Sequence, residues 1–148
     1  MTEAVAVAHQ PTPDVGELYH SVLHFYARQM QLLDDGAIDE WAGTYTDDAT
    51  FGSNAMPVTL TGRETIRRGA RDHDNMRQAG TRRRHLLSNL SIVQGEDGTI
   101  NATSYVSILE TQQGTTALRF CTVLSDELVR EDGELLVRTR RIRRDDLD

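Results

Sequence analysis

The sequence predicts an α+β domain in which three helices precede a long antiparallel sheet. Two observations carry this reading. Up to Gln78 the apolar residues recur mainly at helical spacing, whereas from His85 onward they alternate with a period of two. Turn signals at Gly95-Glu96-Asp97-Gly98, Gln112-Gln113-Gly114 and Glu131-Asp132-Gly133 then cut the second half into strands. Helices followed by antiparallel strands imply one sheet with the helices packed on one face.

The elements follow in order. Residues 1–13 are rich in Ala, Val, Thr and Pro, with no basic n-region or long apolar core. They are expected to be a flexible tail, not a secretory signal, and residues 14–148 form the domain. Asp14 is a candidate N-cap, with Glu17 closing a capping box. Leu18, Val22, Phe25 and Leu32, flanked by Tyr26, Met30 and Leu33, make a wide helical stripe that stops near Asp35-Gly36. Ile38 to Tyr45 is expected to be a short second helix, buried through Ile38, Trp41 and Tyr45. Short strands are expected at Ala49 to Phe51 and Val58 to Leu60, around a Gly52-Ser53-Asn54 turn. A polar third helix runs from Glu64 to about Gln78.

His85, Leu87, Asn89, Ser91 and Val93 are expected to share one face of the next strand. Ile100 to Glu110, Thr115 to Leu128, and Leu135 to Arg143 complete the sheet. Such a sheet must curl through bulges to enclose a pocket. Its outer face mixes apolar residues with arginine, which suggests a homodimer formed through that face.

Composition narrows the function. A chain of 148 residues, 38% apolar and 26% charged, fits one globular domain. No apolar run approaches the roughly 20 residues of a membrane span. A net charge of -7 disfavours nucleic acid as a partner. The basic runs Arg82-Arg83-Arg84 and Arg138 to Arg144 read as solvated or interface faces. All 16 basic residues are arginine, which excludes lysine chemistry. The single cysteine, Cys121, cannot form an intrachain disulfide, fits a reducing cytoplasm, and is expected as a packed core thiol. His20 and His24 have i, i+4 spacing but no third ligand, and His73 is expected to be solvated beside Asp72 and Asp74. With no metal cluster and no glycine-rich phosphate loop, neither a metal nor a cofactor is expected.

A local pattern adds a relationship. Asp34-Asp35-Gly36, Trp41, Thr46-Asp47-Asp48-Ala49-Thr50-Phe51, Thr61-Gly62-Arg63-Glu64 and Arg84-His85-Leu86-Leu87-Ser88-Asn89 follow one another in a recognisable order. From about Leu18 to Asp146 the chain resembles the SnoaL-like branch of the nuclear transport factor 2-like superfamily. That branch includes polyketide cyclases, scytalone dehydratase, a dehydrochlorinase and the β subunits of ring-hydroxylating dioxygenases. The resemblance implies a cone-shaped fold, three helices against a curved sheet, with one pocket.

It also implies a site. In dehydrochlorinase-type members an aspartate closes the first helix, a histidine opens the first long strand four residues before an asparagine, and an arginine lies on the last strand. Asp34, His85, Asn89 and Arg140 match those positions. The second pocket histidine of scytalone dehydratase falls near Leu109 and is missing. Steroid isomerase resembles the front half, but its general base falls near Ser53 and its helix tyrosine near Gln29, so that chemistry is not expected. Tyr26, Met30, Trp41, Tyr45, Tyr105, Phe120 and Thr122 are expected to line the pocket, against the plainer reading that they are core.

The function expected from this resemblance is cofactor-independent acid–base chemistry on a small aromatic or polyketide-like molecule of secondary metabolism. His85 would be the base or acid, Asp34 its orienting partner and Arg140 an anion stabiliser. Two alternatives stay open: a non-catalytic scaffold like a dioxygenase β subunit, and a ligand-binding module.

Overall fold

The structure, a computed structural model, describes residues 14–148. The expected tail, residues 1–13, lies outside the described residues. Helix α1 (Val15–Asp34) starts where Asp14 Oδ1 accepts the Gly16 N–H at 2.9 Å. The cap thus acts through Gly16, where the sequence suggested a box with Glu17. Gly36, at φ 74°, turns the chain after α1.

Helix α2 (Ile38–Ala42) is shorter than expected. It stops at Gly43, and the Thr44 hydroxyl takes up the Trp41 carbonyl at 2.5 Å. Tyr45, expected in this helix, instead opens strand β1 (Tyr45–Ser53). Strand β2 (Leu60–Thr61) and helix α3 (Arg63–Asn75) follow. The remaining strands are β3 (Arg82–Gln94), β4 (Ile100–Gln112), β5 (Thr115–Glu131) and β6 (Glu134–Arg144).

One six-stranded sheet results, in the order β2-β1-β6-β5-β4-β3. Every pairing is antiparallel except β1 with β6, which is parallel. The expected antiparallel sheet is therefore a mixed one, because β1 returns to the far side of the last strand. The helices pack on one face, as the α+β reading required.

Bulges curve the sheet. On β3, Asn89 and Leu90 together oppose Ser104, between the pairs Ser88↔Tyr105 and Ser91↔Thr103. Asn89 takes φ 54° there, a conformation asparagine tolerates better than most residues. The extra residue inverts the alternation. Leu90 is buried and Val93 exposed, so the inner face runs His85, Leu87, Leu90, Ile92. The expected continuation of the His85 face through Asn89, Ser91 and Val93 is corrected for this reason. Further register shifts leave Arg119 of β5 and Arg138 of β6 without direct partners.

The core lies between the helices and the inner face. Val22, Tyr26, Trp41, Tyr45, Ile66, Ile100, Leu128 and Val137 are almost fully buried in it. Burying such an apolar side chain stabilises by roughly 1.5–3 kcal/mol. Cys121 is exposed on the outer face, not packed in the core. Its neighbour Thr122 takes the inward position in that alternation.

Candidate active site

Asp34 closes α1 beside the edge strand β3, and there it meets His85. Oδ1 lies 2.6 Å from His85 Nδ1, and Oδ2 accepts the His85 backbone N–H at 3.2 Å. One carboxylate therefore satisfies an edge donor of the sheet and orients the ring. Asp34 is 8% exposed and His85 18%. An acceptor-only carboxylate at Nδ1 puts the proton of a neutral imidazole on that nitrogen and leaves Nε2 as the base.

The pleat separates the arginine run around this pair. Arg83 shares the inner face with His85, two residues away. Its Nε donates to Glu110 Oε2 at 3.1 Å, and Nη1 lies 2.7 Å from Nε2 of His73 on α3. His73 is exposed as a residue, yet its ring is partly desolvated. That desolvation first, then the Arg83 guanidinium, holds it below the usual histidine range. Arg82 and Arg84 point the other way. With Asp34, Asp35, Arg77 and Thr81 they line a polar depression of about 280 Å³. Phe120 pairs with Ile108, which itself pairs with His85, so all three share the inner face. The Arg144 guanidinium lies 3.8 Å from the centre of the Phe120 ring.

Arg140 belongs to a different cluster. Its Nε and Nη2 donate to Asp126 at 3.0 and 2.8 Å, Nη1 to the Tyr45 hydroxyl at 2.8 Å, and Nη2 also to Gln29 Oε1 at 2.6 Å. The Tyr26 hydroxyl donates to Asp126 Oδ2 at 2.7 Å. Arg140 and Asp126 are each 4% exposed. Desolvation is the largest single influence and acts to lower the arginine, but Asp126, Tyr45 and Tyr26 together outweigh it and raise it above its ordinary value, so it stays charged. Burial first, then Asp126, pushes the Tyr26 phenol far above its usual value. The expected arginine facing a reacting anion is thus a guanidinium already committed to its neighbours. It shares no hydrogen bond with Asp34 or His85.

The expected pocket residues divide three ways. Tyr26, Met30, Trp41, Tyr45 and Thr122 are buried inside the domain. Trp41 Nε1 and Ser104 Oγ, also inside, have no hydrogen-bond partner among the described residues. Phe120 sits half-exposed near His85. Tyr105 is half exposed on the opposite face, because it falls between the inward Ser104 and Val106. It borders an outer depression of about 430 Å³ with Ser88, Ser107, Cys121, Val123, Arg143 and Asp145. The expectation of Tyr105 in an inner pocket is corrected accordingly.

Sequence reading missed Asp126 and Gln29 as partners of Arg140, and Arg83, Glu110 and His73 as neighbours of the pair. A carboxylate at Asp126, in phase with the inward Leu124 and Leu128, was the available signal for a buried cation opposite.

Comparison with known proteins identifies the family and the fold. The model of the SnoaL-like domain matches residues 16–141. ActVI-ORFA from Streptomyces coelicolor is 34% identical, with 88% of this chain and 99% of that one covered and a TM-score of 0.80. Aln2 from a Streptomyces species is 35% identical, with coverages of 92% and 94% and a TM-score of 0.82. A protein from Catenulispora acidiphila, solved in complex with S-DNPA, is 32% identical, with coverages of 88% and 96% and a TM-score of 0.80. No match is found among curated proteins. Among the described residues no helix is long and apolar enough to cross a membrane. With helices, curved sheet and family match in accord, the chain belongs to the SnoaL-like domain family and has its nuclear transport factor 2-like fold.

Proposed function

We propose that the protein is a cofactor-independent cyclase, dehydratase or isomerase acting on an aromatic or polyketide-like small molecule. The double grip of Asp34 on His85 carries this reading. His85 Nε2 removes a proton from a carbon beside a carbonyl; the C–H electron pair forms a C=C bond and the carbonyl π pair moves onto oxygen to give an enolate. The imidazolium then returns the proton to carbon or to a departing oxygen. Asp34 fixes the tautomer beforehand and offsets the imidazolium charge afterwards. Arg140 stands outside this chemistry and holds the core behind it. The outer face, with exposed Leu86, Tyr105 and Leu118, suits a homodimer contact that light scattering would detect.

The S-DNPA complex of the Catenulispora protein supports small-molecule binding and supplies a probe. The test is calorimetric titration with S-DNPA together with solvent-deuterium exchange into a panel of aromatic ketones. The wild type is expected to accelerate exchange for at least one ketone, and Asp34→Asn and His85→Ala to lose about 10²–10⁴-fold of that rate. Full exchange in either variant sinks the mechanism. S-DNPA binding with no exchange by the wild type favours a binding module or scaffold instead.

A further inference from the structure

His73 offers chemistry that the Asp34–His85 pair does not. An arginine guanidinium has donors only, so the 2.7 Å contact from Arg83 Nη1 makes His73 Nε2 an acceptor. The ring is then neutral, with its hydrogen on Nδ1. His85 is arranged in the complementary way, with Nδ1 committed to Asp34 and Nε2 left as acceptor. Arg83 and His85 lie two residues apart on one face of β3, so the Arg83 contact brings His73 of α3 to the face that His85 occupies. A proton on His85 disfavours one on His73, as expected for near neighbours. Arg83 is itself fixed by Glu110 of β4, while Asp74 of α3 pulls weakly the other way on His73.

We propose that His73 is a second catalytic imidazole, a neutral hydrogen-bond donor that holds the oxyanion formed when His85 removes a proton. The proposal rests on the acid–base reading above and fills the role that Arg140 is too committed to play. The proton passes from substrate carbon to His85 Nε2. The electron pair of the broken C–H bond forms a C=C bond, and the carbonyl π pair moves onto the oxygen. His73 Nδ1–H donates to that oxygen and keeps its proton. Arg83 is a positioning residue, since it sets the tautomer without touching substrate.

The test uses the full chain. Imidazole nitrogen NMR at neutral pH reads the tautomers, S-DNPA titration reads contact, and ketone deuterium exchange reads rate. His73 is expected as the Nδ1–H tautomer, and S-DNPA is expected to shift the His73 and His85 signals together. His73→Ala should slow exchange about 10²-fold, in the range for loss of one oxyanion donor, with little change in KM. His73→Asn should recover part of that loss, since its amide also donates. A charged or Nε2–H His73, or full exchange in His73→Ala, overturns the proposal. A silent His85→Ala would sink the acid–base reading and this inference together. A dead His85→Ala beside a fully active His73→Ala would sink only this inference.

Discussion

Two carboxylates on this fold each grip a nitrogen base, and they do so to opposite ends. Asp126 holds Arg140 through two short contacts, and Tyr26, Tyr45 and Gln29 take up further bonding capacity. Asp34 holds His85 just as closely but leaves Nε2 uncommitted and the ring partly exposed. The first cluster is saturated and sealed, so its charges have only each other to stabilise. The second is half satisfied and borders a rim of polar groups. Saturation, not burial, separates the two, since both pairs are substantially buried: the first is a strut, and the second keeps a nitrogen for the chemistry proposed for it.

The sharpest way to break the comparison is to mutate the sealed pair. Arg140→Ala strands the Asp126 carboxylate in the core, and Asp126→Ala strands the guanidinium. Each is expected to destabilise by about 3–5 kcal/mol, measured by urea unfolding. A loss within about 0.5 kcal/mol would show that water reaches the cluster. Conversely, His85→Ala is expected to destabilise by about 1 kcal/mol or less, since the ring is partly exposed. Its effect should fall on exchange rate, by the 10²–10⁴-fold set out above. If His85→Ala unfolds the protein as Arg140→Ala does, the two clusters are both structural.

A smaller effect lies in the phenols. Tyr26→Phe removes one hydrogen bond to a carboxylate and should cost roughly 1.5–3 kcal/mol. Burial raises both Tyr26 and Tyr45 above the ordinary value of 10.0. Their folded values exceed their unfolded ones, so the unfolded chain releases protons first as pH rises. The stability they contribute is complete below the unfolded value and is lost as pH climbs beyond it. Alkaline titration at the tyrosinate absorbance should therefore show these two ionising only as the chain unfolds. Smooth ionisation of every tyrosine in the folded protein would mean that the cluster is open.

Much of this was legible in sequence because its signals are local. Asp34 and His85 stand at element ends marked by Gly36 and by the start of a period-two run, so a likeness of pattern could pair them. The bulge at Asn89 was not legible, because one extra residue in a strand leaves the composition unchanged while reversing every side chain after it. The end of α2 was placed three residues too late, at Tyr45 instead of Ala42, since Gly43 and the Thr44 hydroxyl end the helix by a cap that helical periodicity does not reveal. The partners of Arg140 come from α1, β1 and β5. Only folding brings those elements together, and a lone buried-phase aspartate was too weak a signal to identify the cluster.

The finest test separates the rim from the core by pH. His73 sits below its unfolded value of 6.5 because its ring is partly desolvated and because Arg83 points a positive charge at Nε2. Asp74 opposes this, and His85 adds to it. The folded state thus binds a proton less readily than the unfolded chain does. Stability from this group is present above pH 6.5 and is lost as pH falls through the folded value. Between roughly pH 7.5 and pH 5.5 the wild type should lose more stability than His73→Ala does. Arg83→Ala should fall between them, because it removes the guanidinium and leaves the desolvation. Tyr26→Phe should run parallel to the wild type, since the phenol stays protonated across that range. Parallel curves for His73→Ala and wild type would mean that the ring is as free to protonate folded as unfolded, and would place it in bulk water instead of at the edge of a site.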